Sequence, residues 1–342
     1  MSDALLIDGS EGEGGGQILR TSLSLSVITG RPFRIYNIRA NRPKPGLRRQ
    51  HLAAVRAAAE ISDAELSGDA VDSRDLTFTP KAVRGGTYHF DVGSAGSTML
   101  VLQTVLPPLM IADAPSTIAL AGGTHNFGAP PFPFLEKTLI PLVNRMGPRM
   151  DVRLHRHGFA PAGGGSATVR IEPTRKLTPL NLDRRGPVKR ILAKATVAGL
   201  PTTIARRELD VVADVLELSA HQKKVEELPP EEGPGNIVTI EIESAGVTEI
   251  VTAFGQRGVP AEKVARGAAE EARRYLATDA AVGEHLADQL MIPLALAGGG
   301  SYRTGLLSMH SLTNIVTIGK FLDTKVRTVE SPDGTGVVTF RP

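Results

Sequence analysis

A chain of 342 residues has the length for about two domains and a substantial core, and with no cysteine it can hold neither a disulfide framework nor a thiolate metal site. Hydrophobic content of 41% and a mean hydropathy of −0.03 describe a globular chain without a membrane-like composition. A net charge of +3 and a pI near 9.2 fall short of the excess that announces a nucleic-acid binder, and 4% aromatic content advertises no base-stacking platform.

The elements in chain order repeat a supersecondary pattern. The first eight residues lack the basic and apolar segments of a secretory leader, so a cytoplasmic location is the default expectation. Residues 4–8 read as a strand, 17–29 as a helix closed by Gly30, 33–39 as an alternating strand, 47–61 as a helix, and 64–67 and 76–79 as short strands. The β-α-β-α-β-β order begins again with strand 88–92, a Gly-rich turn over 93–96 and helix 97–110. That helix is the most apolar stretch, and Gln103, Pro107 and Pro108 interrupt it, so no membrane span is expected. Strand 117–121, helix 132–146 and strands 150–155 and 167–172 complete the second round.

A third copy is implied by residues 188–198 and interrupted before helix 283–296, strand 301–304, the helix after His310, and strands 326–329 and 337–340 supply the rest. Between them, residues 181–278 read as strand 189–198, helix 203–218, an acidic loop 226–234, strands 237–243 and 248–254, and helix 261–276. The expected fold is therefore α/β (α+β). Three β-α-β-α-β-β repeats form a large domain, residues 1–180 and 279–342, and a small α/β domain, residues 181–278, is inserted in the third repeat.

The residues that could carry chemistry sit at turns and helix starts. His310 begins an amphipathic helix in which Leu312, Ile315, Ile318 and Leu322 recur at helical spacing, with Ser311, Thr313 and Asn314 in its first turn. Free N–H groups and the helix dipole suit an anion there and keep an imidazole neutral, which is the nucleophilic form. A surface or capping histidine fits the same local sequence. The turn Gly9-Ser-Glu-Gly-Glu13-Gly-Gly-Gly16 precedes Gln17 and Arg20; it is neither a dinucleotide fingerprint nor a P-loop, and its charges also fit a solvated turn. Residues 39–51 carry Arg39, Arg42, Lys44, Arg48, Arg49 and His51 with no acid, stiffened by Pro43 and Pro45, and could hold more than one phosphate. Gln103 in an apolar helix needs a partner, as do Asp288 and Gln289 on theirs. The other histidines lack metal-ligand spacing, so any Mg2+ or Mn2+ would ride on nucleotide phosphates with one or two carboxylates.

Eight motifs in order, among them Gly12-Glu-Gly-Gly-Gly-Gln-Ile-Leu-Arg20, Arg49-Gln-His51, Gly93-Ser-Ala-Gly96, Pro161-Ala-Gly-Gly-Gly165, Gly233-Pro-Gly-Asn236, Leu286-Ala-Asp-Gln-Leu290 and His310-x-x-Thr-Asn314, resemble the RNA 3′-terminal phosphate cyclase family along nearly the whole chain. The resemblance implies a three-step reaction. The histidine matching His310 takes AMP from ATP, passes it to an RNA 3′-phosphate, and the 2′-hydroxyl then closes a 2′,3′-cyclic phosphate with release of AMP. It implies Glu13 as metal ligand or histidine orienter and Arg20 as a phosphate contact. Gln103, Pro130, His285, Asp288, Gln289 and Asn314 would frame the adenosine, and Arg39, Arg42, Arg49, Gln50 and His51 the RNA end. The partners implied are ATP and RNA 3′-phosphate ends, with no membrane, and a homodimer is permitted. The chain departs from relatives at His285, often tyrosine, and His125, often an acid. Two alternatives share the architecture: a ribosome-assembly branch without the histidine, and enolpyruvyl transferases, which need neither the histidine nor this Gly12–Arg20 turn.

Overall fold

The computed structural model describes residues 4–342; Met1 to Asp3, part of the stretch read as lacking a leader, lie outside the described residues. The first unit runs β1 (Leu5–Asp8), α1 (Gly16–Thr29), β2 (Phe33–Tyr36), α2 (Arg49–Ser62), β3 (Glu65–Ser67) and β4 (Leu76–Thr79). Its sheet has the order β1-β2-β4-β3, with β1 and β2 parallel, Leu5 opposite Phe33, and the other two pairings antiparallel. The second unit is β5 (Thr87–Asp91), α3 (Thr98–Leu109), β6 (Ser116–Gly122), α4 (Phe132–Phe134), α5 (Ile140–Asn144), β7 (Arg149–Arg156) and β8 (Gly165–Glu172), with sheet order β5-β6-β8-β7 and the same senses. Residues 132–146, read as one helix, contain a π-helical turn at Leu135–Leu139 that joins α4 to α5. Pro141, just beyond that turn, has no N–H to continue the ladder.

The third sheet opens with β9 (Leu180–Leu182), not with residues 188–198, so the first residues of the span 181–278 pair with the large body. Three residues of strand leave too little periodicity to be seen in the sequence. The chain then builds β10 (Val188–Ala198), α6 (Thr202–Leu216), β11 (Lys223–Leu228), β12 (Gly235–Ser244), β13 (Thr248–Phe254) and α7 (Ala261–Leu276). These strands form a separate sheet, β11-β10-β12-β13, and α6 and α7 close a separate apolar cluster over it. Buried Ala265, Ala268, Ala269 and Ala272 let α7 approach closely. The acidic run read as a loop from residue 226 is in its first part a strand: Glu226, Glu227 and Leu228 pair with Thr196, Val197 and Ala198. Its charges face solvent or Lys194 at an edge, a pattern that composition mistakes for a loop.

After this block come α8 (Glu284–Gln289), α9 (Met291–Leu296), β14 (Gly300–Thr304), α10 (Met309–Phe321), β15 (Lys325–Glu330) and β16 (Gly336–Arg341). Their sheet, β9-β14-β16-β15, repeats the order and senses of the first two. Alternating strands such as β6, buried at every second residue, turn one face of each sheet inward, and residues from all three sheets share one apolar core. Helix α1 lies at its centre, packed against α2, α3 and α10. Its Thr21, Ser22, Ser24 and Ser26 are buried and small enough for close approach, and Ser24 Oγ donates to Thr104 O of α3 at 2.6 Å. No helix among the described residues is long and apolar enough to cross a membrane. The consequence for the site is that the starts of α1 and α10, nearly 300 residues apart in sequence, meet on one side of the core.

Candidate functional site

Helix α10 begins with Ser308 as cap, its hydroxyl accepting from Ser311 N at 3.3 Å, which fixes His310 in the first turn. The ring is about half exposed and its Nδ1 lies 3.0 Å from Gln17 Oε1. Gln17 Nε2 in turn donates to Asp288 Oδ2 at 2.5 Å. A carboxylate only accepts, so the Gln17 amide must turn its nitrogen to Asp288 and its oxygen to His310. Nδ1 of His310 then carries the proton and Nε2 keeps its lone pair. Burial, with Arg20, Arg42 and His285 adding to it, holds the imidazole below its ordinary pKa, and Asp288 opposes them. The net result is a neutral ring with Nε2 free.

Glu13 faces that nitrogen, with Oε1 4.0 Å from His310 Nε2. The turn that carries it is pinned from α10: Glu13 N donates to Thr313 Oγ1 at 3.0 Å, and a Cβ on Gly12, at φ +55°, would sit 2.2 Å from that oxygen. Glu13 is ion-paired with Arg42, while its other oxygen, Oε2, is buried without a partner.

Behind His310 a narrow cavity of about 40 Å³ is lined by Gln17, Arg20, Gln103, Asp288, Gln289 and Asn314 among others. The oxygens Gln103 Oε1 and Gln289 Oε1 and the nitrogen Arg20 Nε are buried there with no hydrogen-bond partner. Asn314 is fixed on both sides, accepting from Thr21 Oγ1 at 2.7 Å and donating to Asp288 O at 2.9 Å. Burial lowers Arg20 to about 10, so it stays cationic at neutral pH, and burial raises the Asp288 carboxyl, a rise that His310 and Arg20 resist. Pro130 and His285 lie outside this lining. His285 is largely exposed at the start of α8, 3.7 Å from Glu271.

The basic stretch approaches from the other side. His51 is buried and accepts from Arg48 N through Nδ1 at 3.3 Å; burial and four surrounding arginines depress it to about 3, so it is neutral and offers Nε2–H. Arg39, in the left-handed region at φ 56°, donates to the carbonyls of Lys44 and Gly46 at 2.7 and 2.8 Å and so closes its own loop. Arg49 reaches Gly93 O at 3.0 Å, and Gln50 Oε1 accepts from Ser97 N at 3.1 Å. Arg42, His51 and Arg20 therefore gather around Glu13 and His310, whereas Arg49 and Gln50 mark a seam toward the turn after β5. Among the described residues no three histidines or carboxylates cluster in a metal-binding arrangement.

Sequence reasoning gave Gln17 and Thr313 no role of their own. Gln17 follows the glycine run and Thr313 follows His310 by three, but the partners that define them lie on other elements, 271 to 300 residues distant.

Residues 11–328 match the family model described as RNA 3′-terminal phosphate cyclase. Relatives named RNA 3′-terminal phosphate cyclase include that of Koribacter versatilis, 53% identical over 93% of this chain and 90% of its own length. Those of Ectopseudomonas mendocina and Ralstonia nicotianae are each 50% identical, over 95% and 97% of this chain and 94% and 95% of their own.

Proposed function

This chain belongs to the RNA 3′-terminal phosphate cyclase family, and from that premise we propose how its residues divide the work of an ATP-dependent RNA-processing ligase. The enzyme converts an RNA 3′-terminal phosphate into a 2′,3′-cyclic phosphate at the expense of ATP. In the proposed course, the lone pair on His310 Nε2 attacks the α-phosphorus of ATP, a P–O bond breaks, and pyrophosphate leaves. The ring then holds AMP on Nε2 and a proton on Nδ1, with positive charge that Gln17 Oε1 and, behind it, Asp288 stabilise. An oxygen of the RNA 3′-phosphate next displaces the imidazole, which leaves neutral. Finally the 2′-hydroxyl attacks the activated phosphorus, AMP departs and a proton is released; ring closure is intramolecular, so proximity supplies much of its rate.

Gln103, Gln289 and Asn314 are proposed to frame the adenosine, the unpartnered amide oxygens of Gln103 and Gln289 supporting contact with its N–H groups. Arg20 and neutral His51 would hold phosphate oxygens, and Arg42 and Arg49 the RNA end. The Glu13 carboxylate, with Oε1 toward the nucleophile and Oε2 buried without a partner, fits a divalent cation of the hard, oxygen-preferring kind. Such a cation, when bound, neutralises charge on the nucleotide phosphates. The segment 181–278, which beyond Asn181 and Leu182 of β9 has its own sheet and apolar cluster, is proposed as a separate inserted domain.

The observation that carries the reading is the Asp288–Gln17–His310 line, which leaves Nε2 unprotonated beside Glu13. Incubation with ATP labelled at the α-phosphate and a divalent cation, followed by denaturing electrophoresis, tests it. An acid-labile labelled band that is lost in His310→Ala is the expected result. Absence of label with Mg2+ and Mn2+ across pH overturns the nucleotidyl-transfer course and leaves a non-catalytic RNA-binding role.

A further inference from the structure

A second cleft, of about 680 Å³, opens between the turn after β6 and the inserted sheet, a size that suits a nucleotide rather than an ion. His125, Phe127 and Phe159 line one side, and Glu208, Asn236 and Phe254 the other. Glu208 is 0% exposed. Its Oε2 accepts from Asn236 Nδ2 at 2.8 Å, while its Oε1 and Asn236 Oδ1 are both buried with no partner. A buried carboxylate oxygen without a donor is costly, so two adjacent orphaned acceptors point to a ligand that brings donors. Burial pushes the Glu208 carboxyl up to about 7, and the Asn236 amide that donates to it resists the rise.

Aromatic side chains form part of the walls. The rings of His125 and Phe159 lie 5.3 Å apart, His157 stacks on Phe159 at 6.1 Å, and Phe159 and Phe254 belong to one small apolar cluster. Phe127 stands 76% exposed at the rim. Arg257 at the mouth is exposed and suits a phosphodiester. A relay of backbone and side-chain contacts links the wall of the cleft at His125 to the seam at Arg49 and Gln50. Gln50 holds Ser97 N, Ser97 bridges to Gly123, Asn126 Nδ2 donates to Ala95 O at 2.6 Å, and His125 follows at once. Among the bases, guanine alone presents two neighbouring donors, N1–H and N2–H, on one edge; adenine and cytosine set a donor beside an acceptor, and uracil sets its one N–H between carbonyls.

We propose that this cleft is a base subsite for the substrate RNA, taking a guanine upstream of the 3′-phosphate among the phenylalanine rings, with its N1–H and N2–H donating to Glu208 and Asn236. The assignment rests on the proposed function, since it supplies the RNA. The test is steady-state cyclisation of unstructured RNA 3′-phosphate oligonucleotides of one length, with a single guanine walked upstream through an adenine background and then replaced by inosine. At one position guanine should lower KM about tenfold relative to adenine with kcat unchanged, and inosine, lacking N2–H, should lose part of that gain. Glu208→Gln and Phe127→Ala should each flatten the preference while self-adenylation with labelled ATP is unchanged; Phe127 is exposed enough that its removal leaves the fold intact. A flat profile in the wild type, or a preference that survives both substitutions, overturns the subsite. A flat profile accompanied by binding of guanosine 5′-monophosphate that Glu208→Gln abolishes overturns the RNA assignment in favour of a free nucleotide. Failure to cyclise any oligonucleotide would instead count against the proposed function.

Discussion

The turns that lead from β1 into α1 and from β5 into α3 occupy the same place in two units of the same strand order, yet their polar groups are satisfied in different ways. Both turns open on an aspartate, Ser10 N donating to Asp8 Oδ1 at 2.9 Å and Gly93 N to Asp91 Oδ1 at 2.7 Å, and both are braced from elsewhere, the second by Arg49 on Gly93 O and Gln50 on Ser97 N. But after β5 Gly96 N donates to Ser94 Oγ at 3.2 Å, and Ser97 caps α3 by accepting from Leu100 N at 3.3 Å. After β1, Gly15 stands at the cap position with no side-chain bond to the helix, and the turn is held by Thr313, Asn41 and Arg42 from other parts of the chain. The helix start that fills its own cap supports the fold. The one whose cap is left open, beside an orphaned carboxylate oxygen and a neutral histidine, has free N–H groups that, under the proposed function, suit a phosphate. The third unit differs again, because its helix α8 starts at Gly283, whose N–H donates to Glu249 Oε2 of the inserted sheet at 2.9 Å.

Substitutions can break this comparison in descending order of effect. His310→Ala should reduce transfer of label from ATP by on the order of 10⁴ or more, with the melting temperature held within about 2 °C because the ring is half exposed. Gln17→Ala should slow self-adenylation by about 10²–10³, chiefly in kcat, since the proton on Nδ1 loses its acceptor; an equal rise in KM for ATP with kcat unchanged would reduce Gln17 to a pocket wall.

The glycines sharpen the contrast between the two turns. Gly12 at φ +55° and Gly93 at φ +63° both carry a left-handed penalty of about 1–2 kcal/mol on substitution by alanine, measurable by denaturant unfolding. Only Gly12→Ala also displaces Thr313, so it alone should slow self-adenylation, by about tenfold; Gly93 has nothing within 4 Å. Arg49→Ala, at the seam, should spare self-adenylation and weaken transfer to RNA by about tenfold, seen as a rise in KM for the oligonucleotide.

For the third helix start the expected effect is on stability. Burial raises the Glu249 carboxyl to about 8, against 4.5 for the ordinary group. A folded-state value above the unfolded one means that its contribution is full below pH 4.5 and is lost as pH rises through 8. Melting followed between pH 5 and 8.5 should therefore show a smaller decline for Glu249→Gln than for the parent chain.

The sequence makes visible what is local. Its periodicity and turn residues delimit most of both complete units, and the position of His310 at a helix start follows from the polar first turn, Ser311, Thr313 and Asn314, and the apolar spacing around it. Gln103, Asp288, Gln289 and Asn314 stand out as polar residues on apolar helices, and in the structure they line one cavity. What is not visible is what depends on distant pairing. β9 is three residues whose partner is 120 positions away, β11 is an edge strand whose charges resemble a loop, and Gln17 has meaning only between Asp288 and His310. Glu208 and Asn236 belong to the same class, since neither sequence position reveals that both will line one cleft with His125, Phe127 and Phe159 of the second unit.

The amide between Asp288 and His310 has one more consequence. Unlike a histidine bonded directly to a carboxylate, this imidazole is insulated: an amide can orient a proton but cannot accept and carry it at ordinary pH. In the proposed reaction the adenylated ring would keep its Nδ1 proton, hold its positive charge, and remain a good leaving group until an RNA end arrives. Gln17 would thus act as a latch on reactivity, keeping the energy taken from ATP in the N–P bond instead of letting it relax into an inert neutral adduct.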